Sequence, residues 1–547
     1  MNLNTEEQQL LTARNKGGFS LLVSYLRLSG PGWLQSALTL GGGSLGSSLY
    51  LGVLAGYSLL WLQPLAMLLG IVMLSAIGYF TTSTERSPFQ VINSDVNPIL
   101  GWGWALASLV ASLVWSMPQY SLATAVVQQN LFPDLLSGEG AKISIVVVFL
   151  IISVITTWSY EKGQVGFKFY DLVLKIAVAL IVVCFGTVVI TLMLSEKGLN
   201  WQALYRGFIP NLNSLLYPSE EYEFLLNSIE DKYRYYWSDL IVQKQTDVLV
   251  SAAATAVGIN MTFLFPYTIL KRRWGRPFKG FVIFDLATGM LIPFVLATSC
   301  VVIAAASQFH TQVQPGLSWK ESNVQSVVAS KKQQKEFNEM LEKRWLTTEG
   351  TKQKKASLSF SIAEQKLAAT LVTRDAFDLA KSLKPLGGGI LTNYIFGIGV
   401  LGMALSTITL LMLASGLIIC EMLKLPHSGW NYRLATLGGC IGALGPFIWT
   451  KAAFWLVVPT SVFGFTLLPL AYLTFCLVMN RKDILGRDMP KGKSRWIWNV
   501  LMLIAAGVAS FGSLLMIWGK AGIWGMVLIG IFGFLAVIFH RRKRYSE

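Results

Sequence analysis

The feature that most constrains this chain is a series of about twelve apolar segments, each long enough to cross a bilayer as a helix. The chain has 547 residues, of which 53% are hydrophobic and only 14% are charged, and its mean hydropathy is +0.53. A spanning helix needs about 20 mostly apolar residues, and a soluble domain carries about 25% charged residues. The sequence therefore predicts an all-α polytopic membrane protein embedded in the lipid bilayer.

The predicted spans divide the chain into two groups of five and a final pair. Their approximate bounds are 30–53, 57–80, 101–128, 143–160, 169–195, 246–270, 278–306, 389–420, 432–449, 451–479, 496–518 and 521–540. The predicted units are an N-terminal segment 1–29, a first group 30–195, an insertion 196–245, a second group 246–479 with an insertion 307–388, and a C-terminal unit 480–547 of two spans and a basic tail.

Basic residues set the predicted orientation. The segments "KRRWGRPFK" (271–279), "RKDILGRDMPKGKSR" (481–495) and "HRRKR" (540–544) fall on one side of the membrane if there are twelve spans. The positive-inside rule assigns that side, with both termini, to the cytoplasm. The same pattern explains the net charge of +16, so we do not expect a nucleic-acid partner. We expect the plasma membrane as the location.

Both insertions then lie outside. The second contains "SKKQQKEFNEMLEKRW" and "SIAEQKLAATLVTRDAFDLAKSLKPLGGG", whose apolar residues recur at helical spacing. These segments predict helices that form either a cap or oligomer contact, or a lid that captures substrate.

Two spans are interrupted by residues that disfavour a continuous helix. "LGGGSLGSS" (40–48) lies inside span 1, and Gly258, Asn260 and Pro266 lie inside span 6. Irregular backbone at membrane depth survives only where it lines a cavity or is buried in protein, and transporters use such breaks to bind substrate. Close packing of helices on small residues is the alternative interpretation. Interruptions five spans apart fit an inverted repeat of five helices.

Several segments resemble the NRAMP family of divalent-metal transporters. "GPGWLQSAL" with "AGYSLLW" resembles the family's first span, "FPYTILKRRWG" with "FDLATGM" its sixth and seventh, "LLMLASGLI" its eighth and "FGFTLLPLAYLTF" its tenth. The resemblance implies a LeuT-type fold of two inverted five-helix repeats. It also implies alternating access around a site between spans 1 and 6, and a structural role for Asp285.

The chain departs from the family at the site motifs. The family's Asp-Pro-Gly-Asn corresponds to Gly41, Gly42, Gly43 and Ser44, so its ligand aspartate and asparagine become Gly41 and Ser44. The family's Met-Pro-His-Asn has either Asn260 or Met261 at its methionine and retains no histidine. Gln119 and Tyr120 lie near the family's third-span glutamate. The predicted centre therefore carries neither a carboxylate nor an imidazole.

The candidate site consists of neutral groups. The predicted substrate-binding residues are Gly41, Gly42, Gly43, Ser44, Ser47, Ser48, Asn260, Met261 and Thr262, with Ser44 and Asn260 as candidate metal ligands; Gly258, Pro266, Gln119, Tyr120 and Asp285 are candidate gating or structural residues. We expect a secondary transporter of a cation, a divalent metal ion in particular, without a cofactor. The alternatives are transport of a polar organic solute such as an amino acid, and a non-transporting scaffold. No ATP-binding or hydrolase motif occurs, and an enzyme is not expected.

Overall fold

Helices form all the regular structure that the computed structural model describes, which covers residues 3–133, 135–136, 138–161, 163–195, 198–317, 329–349, 360–448 and 457–539. Within these ranges there is no strand. Nine helices of the described chain are long and apolar enough to cross a membrane, and the bent pair in span 1 makes a tenth span. The other two predicted spans are helical but less regular, as described below.

The first group contains spans 1 to 5. Their helices are Pro31–Thr39 with Gly42–Ala55, Leu62–Thr84, Pro98–Val126 with the π-helical turn Val127–Leu131, Glu139–Ser159 and Gly163–Met193. Short turns at Pro88–Val91 and Ile92–Val96 connect spans 2 and 3. Span 3 begins at Asn97, whose side chain accepts the backbone N–H groups of Ile99 and Leu100 and so caps the helix.

The second group repeats this pattern. Spans 6 to 8 and 10 consist of Asp231–Ala256 with Ile259–Lys271, Lys279–Leu286 with Ala287–Leu291 and Ile292–Phe309, Ile390–Ile395 with Phe396–Leu423, and Val457–Met479. The outer half of span 6 begins at Asp231, well before the predicted 246, because "DKYRYYWSDLIVQKQ" continues the helix beyond the apolar segment.

Span 9 is not the regular helix that was predicted over 432–449. It consists of Gly429–Thr436, the 3₁₀ segment Leu437–Leu444 and Gly445–Ile448. A side chain at Gly439 would lie 2.8 Å from Cα of Met412, and one at Gly442 would lie 2.5 Å from Oγ of Ser116. The glycines therefore let this segment approach spans 3 and 8 closely, at the expense of regular α-helix.

The last two spans form a hairpin. The helix Gly492–Ile538 contains Gly522 with φ 55° and ψ −142°, a conformation outside the helical region. Lys520 pairs with Asp247 of span 6, whereas the carbonyl of Ala536 accepts the side chain of Asn97 at the opposite end of the fold. Asn499, near the start of this helix, bonds Asn480 at the same end of the fold as Ala536. The chain therefore leaves that end, reverses at Gly522 and returns to it, as two spans require.

The basic segments share one end of the molecule. Arg276 and Lys279, which follow span 6, lie 2.7 and 2.8 Å from the carboxylate of Asp488, which follows span 10. The N-terminal helices Leu3–Lys16 and Gly18–Leu28 pack at the same end, where Glu6 accepts the indole N–H of Trp274. We call this the inner end. The predicted basic tail at 540–544 lies outside the described residues.

The two insertions form what we call the outer cap at the opposite end. Its helices are Trp201–Gly207, Leu212–Leu215, Glu220–Tyr222, Glu223–Asn227, Lys331–Glu349, Ile362–Thr370 and Ala376–Gly389. The predicted helices of the second insertion are therefore confirmed where they are described. The cap binds span 6 directly, since Tyr236 donates to the carbonyl of Met340 and Trp237 donates to Glu364.

Candidate functional site at the two broken helices

Span 1 is broken in the middle of the fold. Its first helix ends at Thr39, its second begins at Gly42, and the two are bent by 55°. Gly41 is extended, with φ −105° and ψ −175°. The N–H of Gly42 donates to Oε1 of Gln119 in span 3 at 2.9 Å, and Oγ of Ser44 donates to the carbonyl of Gly41 at 2.9 Å. Gln119 therefore caps the second half of span 1.

Span 6 is broken at the equivalent place in the second repeat. Val257 and Gly258 are extended, and the inner helix begins at Ile259. Oδ1 of Asn260 accepts the N–H of Met261 at 2.9 Å, and the N–H of Gly258 points to the sulfur of Met261 at 3.3 Å. Pro266 lies further along, inside the inner helix rather than in the break.

The two breaks meet at Thr39 and Met261. The hydroxyl of Thr39 lies 3.4 Å from the carbonyl oxygen of Ala256 and 3.4 Å from the sulfur of Met261. Met261 is 2% exposed. Of the two residues that the sequence aligned with the family's methionine, Met261 is therefore the one whose side chain lies at the crossing, whereas Asn260 caps its own helix.

The three glycines of the first break are closely packed. A methyl group at Gly41 would overlap Oγ1 of Thr407, one at Gly42 would lie 2.6 Å from Leu122, and one at Gly43 would overlap the ring of Trp115. The two interpretations of the glycine run are thus both correct in part. The helix is broken, and its glycines also let spans 3 and 8 pack against the break.

The remaining candidate hydroxyls connect neighbouring helices. Ser47 bonds Ser251 at 2.7 Å, and Ser48 accepts the amide of Gln63 at 3.2 Å. Thr262 accepts the indole N–H of Trp104 at 2.9 Å, and Tyr120 is fully buried in span 3. Ser44 and Asn260, proposed from the sequence as metal ligands, each form their hydrogen bonds within their own span.

The sequence analysis assigned neither Thr39, nor Gln35, nor any residue of span 8 to the site. Ser406 of span 8 donates to the carbonyl of Ala37 at 3.2 Å, just before the break. Gln35 is fully buried, and neither atom of its amide has a hydrogen-bond partner among the described residues. Polar residues on the half-helix that leads into a break were the available signal for Gln35 and Thr39.

Backbone charge at the crossing favours a cation. The carbonyl ends of two half-helices, at Thr39 and Ala256, point into it and carry partial negative charge. At each opposing helix start a side chain accepts one N–H group, Gln119 that of Gly42 and Asn260 that of Met261. No Asp, Glu or His occurs in 39–43 or 256–262, and the described residues hold no cluster of three His, Cys, Asp or Glu side chains that suits a metal.

Charged residues hold the start of span 1 at the inner end. Asp285 of span 7 accepts the hydroxyl of Ser29 and the N–H groups of Gly30 and Gly32. Lys175 donates to the carbonyl of Ser29 at 2.7 Å and pairs with Asp171 at 2.9 Å, four residues earlier on the same helix. Asp285 thus anchors the half-helix that leads to the break.

Carboxylates of the outer cap lie at the opposite end of the fold. Burial raises the pKa of Glu336, but Lys244 and Thr373 outweigh burial and hold that pKa below its usual value. Burial and the neighbouring Asp378 raise the pKa of Asp375 to about 6. The imidazole of His310, at the outer end of span 7, lies 3.6 Å from the carboxylate of Glu221 and lowers its pKa. The cap therefore holds carboxylates whose pKa values are shifted, whereas the crossing holds no titratable carboxylate or imidazole.

The matched segments of the sequence decide the family. A profile of the Nramp family, described as natural resistance-associated macrophage protein-like, matches residues 32–328 and 360–519, which include both breaks. The chain belongs to the Nramp family. No curated protein sequence matches this Nramp protein.

Solved structures agree on the fold. A histidine-to-alanine variant of the Eremococcus coleocola manganese transporter is 13% identical, with a TM-score of 0.62, over 96% of this chain and 95% of the other. The same transporter bound to an aromatic bis-isothiourea substituted compound is also 13% identical, with a TM-score of 0.63 and the same coverage. This Nramp protein is therefore a multi-pass membrane transporter with the expected LeuT-type fold.

Proposed function

We propose that this Nramp protein moves a divalent metal ion across the membrane by alternating access, with the ion bound where spans 1 and 6 cross. The observation that carries the proposal is the meeting of Thr39 and Met261 between two half-helix carbonyl ends. Family membership supports it, as does the likeness in fold to a protein described as a manganese transporter.

The proposed ligands are neutral. They are the hydroxyl of Thr39, the thioether of Met261 and the carbonyls at the helix ends. A thioether favours softer transition metals, and oxygen donors favour manganese or magnesium. Because no carboxylate offsets the ion's charge, we expect the ion to keep part of its water shell.

The packing of the break favours a small cargo over the alternatives. Gly41, Gly42 and Gly43 are in contact with side chains of spans 3 and 8, which leaves less room for an amino acid than for a partly hydrated ion. A scaffold would not need two broken helices that meet at membrane depth. We propose transport rather than catalysis.

The proposed orientation places the inner end in the cytoplasm. The shared basic loops and the N-terminal helices support it through the positive-inside rule. The outer cap then lies outside, and the plasma membrane is the proposed location. Direct tests are cysteine labelling of the cap in intact cells and labelling of the N-terminal segment only after permeabilisation.

Uptake into proteoliposomes tests the function. Manganese, magnesium and calcium are each offered to vesicles with and without the protein, and we expect saturable uptake of at least one of them. Thr39→Val removes the hydroxyl at the crossing and should lower that uptake by about tenfold, the effect of one lost ligand interaction of about 1.4 kcal/mol.

The matched control is Thr298→Val. Thr298 is equally buried, but its hydroxyl bonds only within its own helix. Equal losses in both variants would place the effect of Thr39 in packing rather than binding. No uptake of any of the three ions by folded protein would contradict the proposal and favour an organic solute.

A further inference from the structure

The inner end of span 8 carries a buried carboxylate with unusual partners. Glu421 is 5% exposed, and its carboxylate is in contact with Ser87, Gln90 and His427. Among the described residues, no lysine or arginine lies within ion-pair distance of it. The groups in direct contact with its carboxylate are thus a hydroxyl, an amide and an imidazole.

Other carboxylates at this end are compensated differently. Glu161 pairs with Arg433 at 2.9 Å and accepts the N–H of Gly429. Asp171 pairs with Lys175, and Asp285 accepts backbone N–H groups. A buried carboxylate without a fixed cation is costly. Glu421 therefore stands apart as a place where a mobile cation would lower the free energy.

The geometry suits a cation held by two protein atoms. Oε1 of Glu421 lies 3.2 Å from Nε2 of His427. Two ligand atoms at right angles, each about 2.1 Å from one metal ion, are about 3 Å apart. The two side chains therefore need to move little to bind one ion together. The imidazole must be neutral, with Nε2 unprotonated.

Neighbouring groups orient both ligands. Ser87 donates to Oε2 of Glu421 at 3.0 Å and bonds the hydroxyl of Tyr267 at 2.9 Å, which leaves Oε1 directed at the histidine. The ring of Tyr267 meets that of His427 edge to face, with centroids 5.7 Å apart. Such outer partners fix the direction of metal ligands.

The pair also has access to solvent and to span 6. Glu421, His427 and Tyr267 line a cavity of about 340 Å³ at the inner end. Lys271 also lines it, with its ammonium group held by the carbonyl of Tyr160 at 2.7 Å. Tyr267 belongs to the inner half of span 6, which begins at the break. The cavity therefore adjoins the half-helix that starts at the proposed central site.

We propose that Glu421 and His427 form a second binding site for a divalent transition-metal ion at the inner mouth of the transporter. This inference rests on the proposed function, because the cargo is the cation concerned. Carboxylate oxygen with imidazole nitrogen suits first-row transition metals better than magnesium or calcium. Two protein ligands leave most positions to water, as a site of passage requires.

Manganese binding to the full-length protein in nanodiscs tests the site. The free Mn²⁺ signal in electron paramagnetic resonance gives the number of ions bound, and the electron spin echo of bound Mn²⁺ reports a coordinated nitrogen. The chain has only three histidines, so a nitrogen signal is assignable by substitution. We expect two bound ions, one with a nitrogen ligand.

The variants are Glu421→Gln and His427→Gln, with Glu161→Gln and His310→Gln as matched controls. Both test variants should weaken one site by more than about tenfold, and His427→Gln should abolish the nitrogen signal. The controls should retain both. His427 is 34% exposed as a side chain, so this variant should fold even if the loss of Glu421 does not permit it.

Uptake by the same proteins separates the two proposals. In one outcome, the protein takes up manganese, and His427→Gln changes neither the number of bound ions nor the nitrogen signal. This outcome overturns the inner site and identifies Glu421 and His427 as an ordinary ion pair, but it leaves the proposed function standing. In the opposite outcome, His427→Gln abolishes the nitrogen signal, but the protein takes up none of the three ions. This outcome supports the inner site and overturns the proposed function.

Discussion

The crossing of the broken helices and the outer cap bury polar groups in opposite ways. In the cap, Arg344 and Glu364 are 1% and 2% exposed and form two short contacts, of 2.5 and 2.7 Å, while Trp237 adds a hydrogen bond. At the crossing, the polar groups are hydroxyl, amide, thioether and peptide. The cap holds its own opposite charges together, whereas the crossing holds none.

This difference teaches what each region requires. A buried ion pair needs fixed partners, which are Phe360 and the capping residue Ser361 of the cap and Tyr233 of span 6. A fixed pair is unsuited to a site that must bind and release a charge. The neutral crossing leaves the charge to the cargo, and the carbonyl ends of the half-helices provide the attraction.

The largest expected effect comes from breaking the cap pair. Glu364→Gln leaves Arg344 charged and buried, so we expect the free energy of unfolding of the cap to fall by about 3–5 kcal/mol. Thermal unfolding in detergent, followed by tryptophan fluorescence, measures it. Glu339→Gln is the control, since its pair with Lys335 is exposed; an equal loss there would mean that burial of the pair is unimportant.

Introducing a charge at the crossing has the next largest effect. Gly41→Asp forces a side chain against Thr407 and adds a charge at membrane depth, so we expect a loss of about 3 kcal/mol or more. Adding Thr407→Ala relieves the overlap. The double variant should then be stabilised by millimolar Mn²⁺ in thermal unfolding more than the wild type is; no gain would argue against a cation at Gly41.

Removing a charge from the cap should stabilise it. Asp375 caps the helix Ala376–Gly389, and asparagine caps equally well. Since the pKa of Asp375 is raised to about 6, its ionised form destabilises the fold at neutral pH, and that penalty fades as pH falls from 6 towards 4. Asp375→Asn should therefore add about 1–3 kcal/mol at pH 7.5.

The pH series provides the internal control for this substitution. The advantage of Asp375→Asn should be largest above pH 7 and vanish near pH 4. A gain in unfolding temperature that is constant from pH 4 to pH 8 would contradict a raised pKa and point to the cap hydrogen bond alone.

The smallest expected effect concerns selectivity at the crossing. Met261→Leu keeps the volume of the side chain but removes the sulfur near Thr39. We expect manganese uptake to fall by about tenfold and magnesium uptake by less than about twofold, because only the softer ion uses a thioether. Met67→Leu, at a fully buried position in span 2, is the control. Equal losses for both ions would remove Met261 from the ligand set.

The sequence predicts those features of the fold that depend on the residues of a single helix or loop. Most of the apolar spans, both breaks and the shared side of two basic loops are confirmed among the described residues, because each depends on local hydropathy, glycine or charge. Span 9 was predicted at 432–449, but its 3₁₀ segment was not, since its glycines pack against Met412 and Ser116, which are remote in sequence.

The side chains that meet at the site were less predictable. Thr39 and Met261 come together through the crossing angle of two helices, which no local pattern encodes. Glu421 and His427 are an intermediate case. Lys424 ends span 8 in a left-handed conformation with φ 56°, and Pro426 follows. A helix end followed by proline signals a sharp return of the chain, and this return brings His427 back to Glu421.

The length of the outer half of span 6 has a mechanical consequence. The helix Asp231–Ala256 has 26 residues, begins under the cap and ends at the break. At 1.5 Å per residue it is a lever of about 39 Å, so a tilt of about 10° at its inner end displaces its outer end by about 7 Å. Motion at the centre of the membrane is thereby magnified at the surface, where a pair of spin labels on the cap and on span 4 would record each cycle.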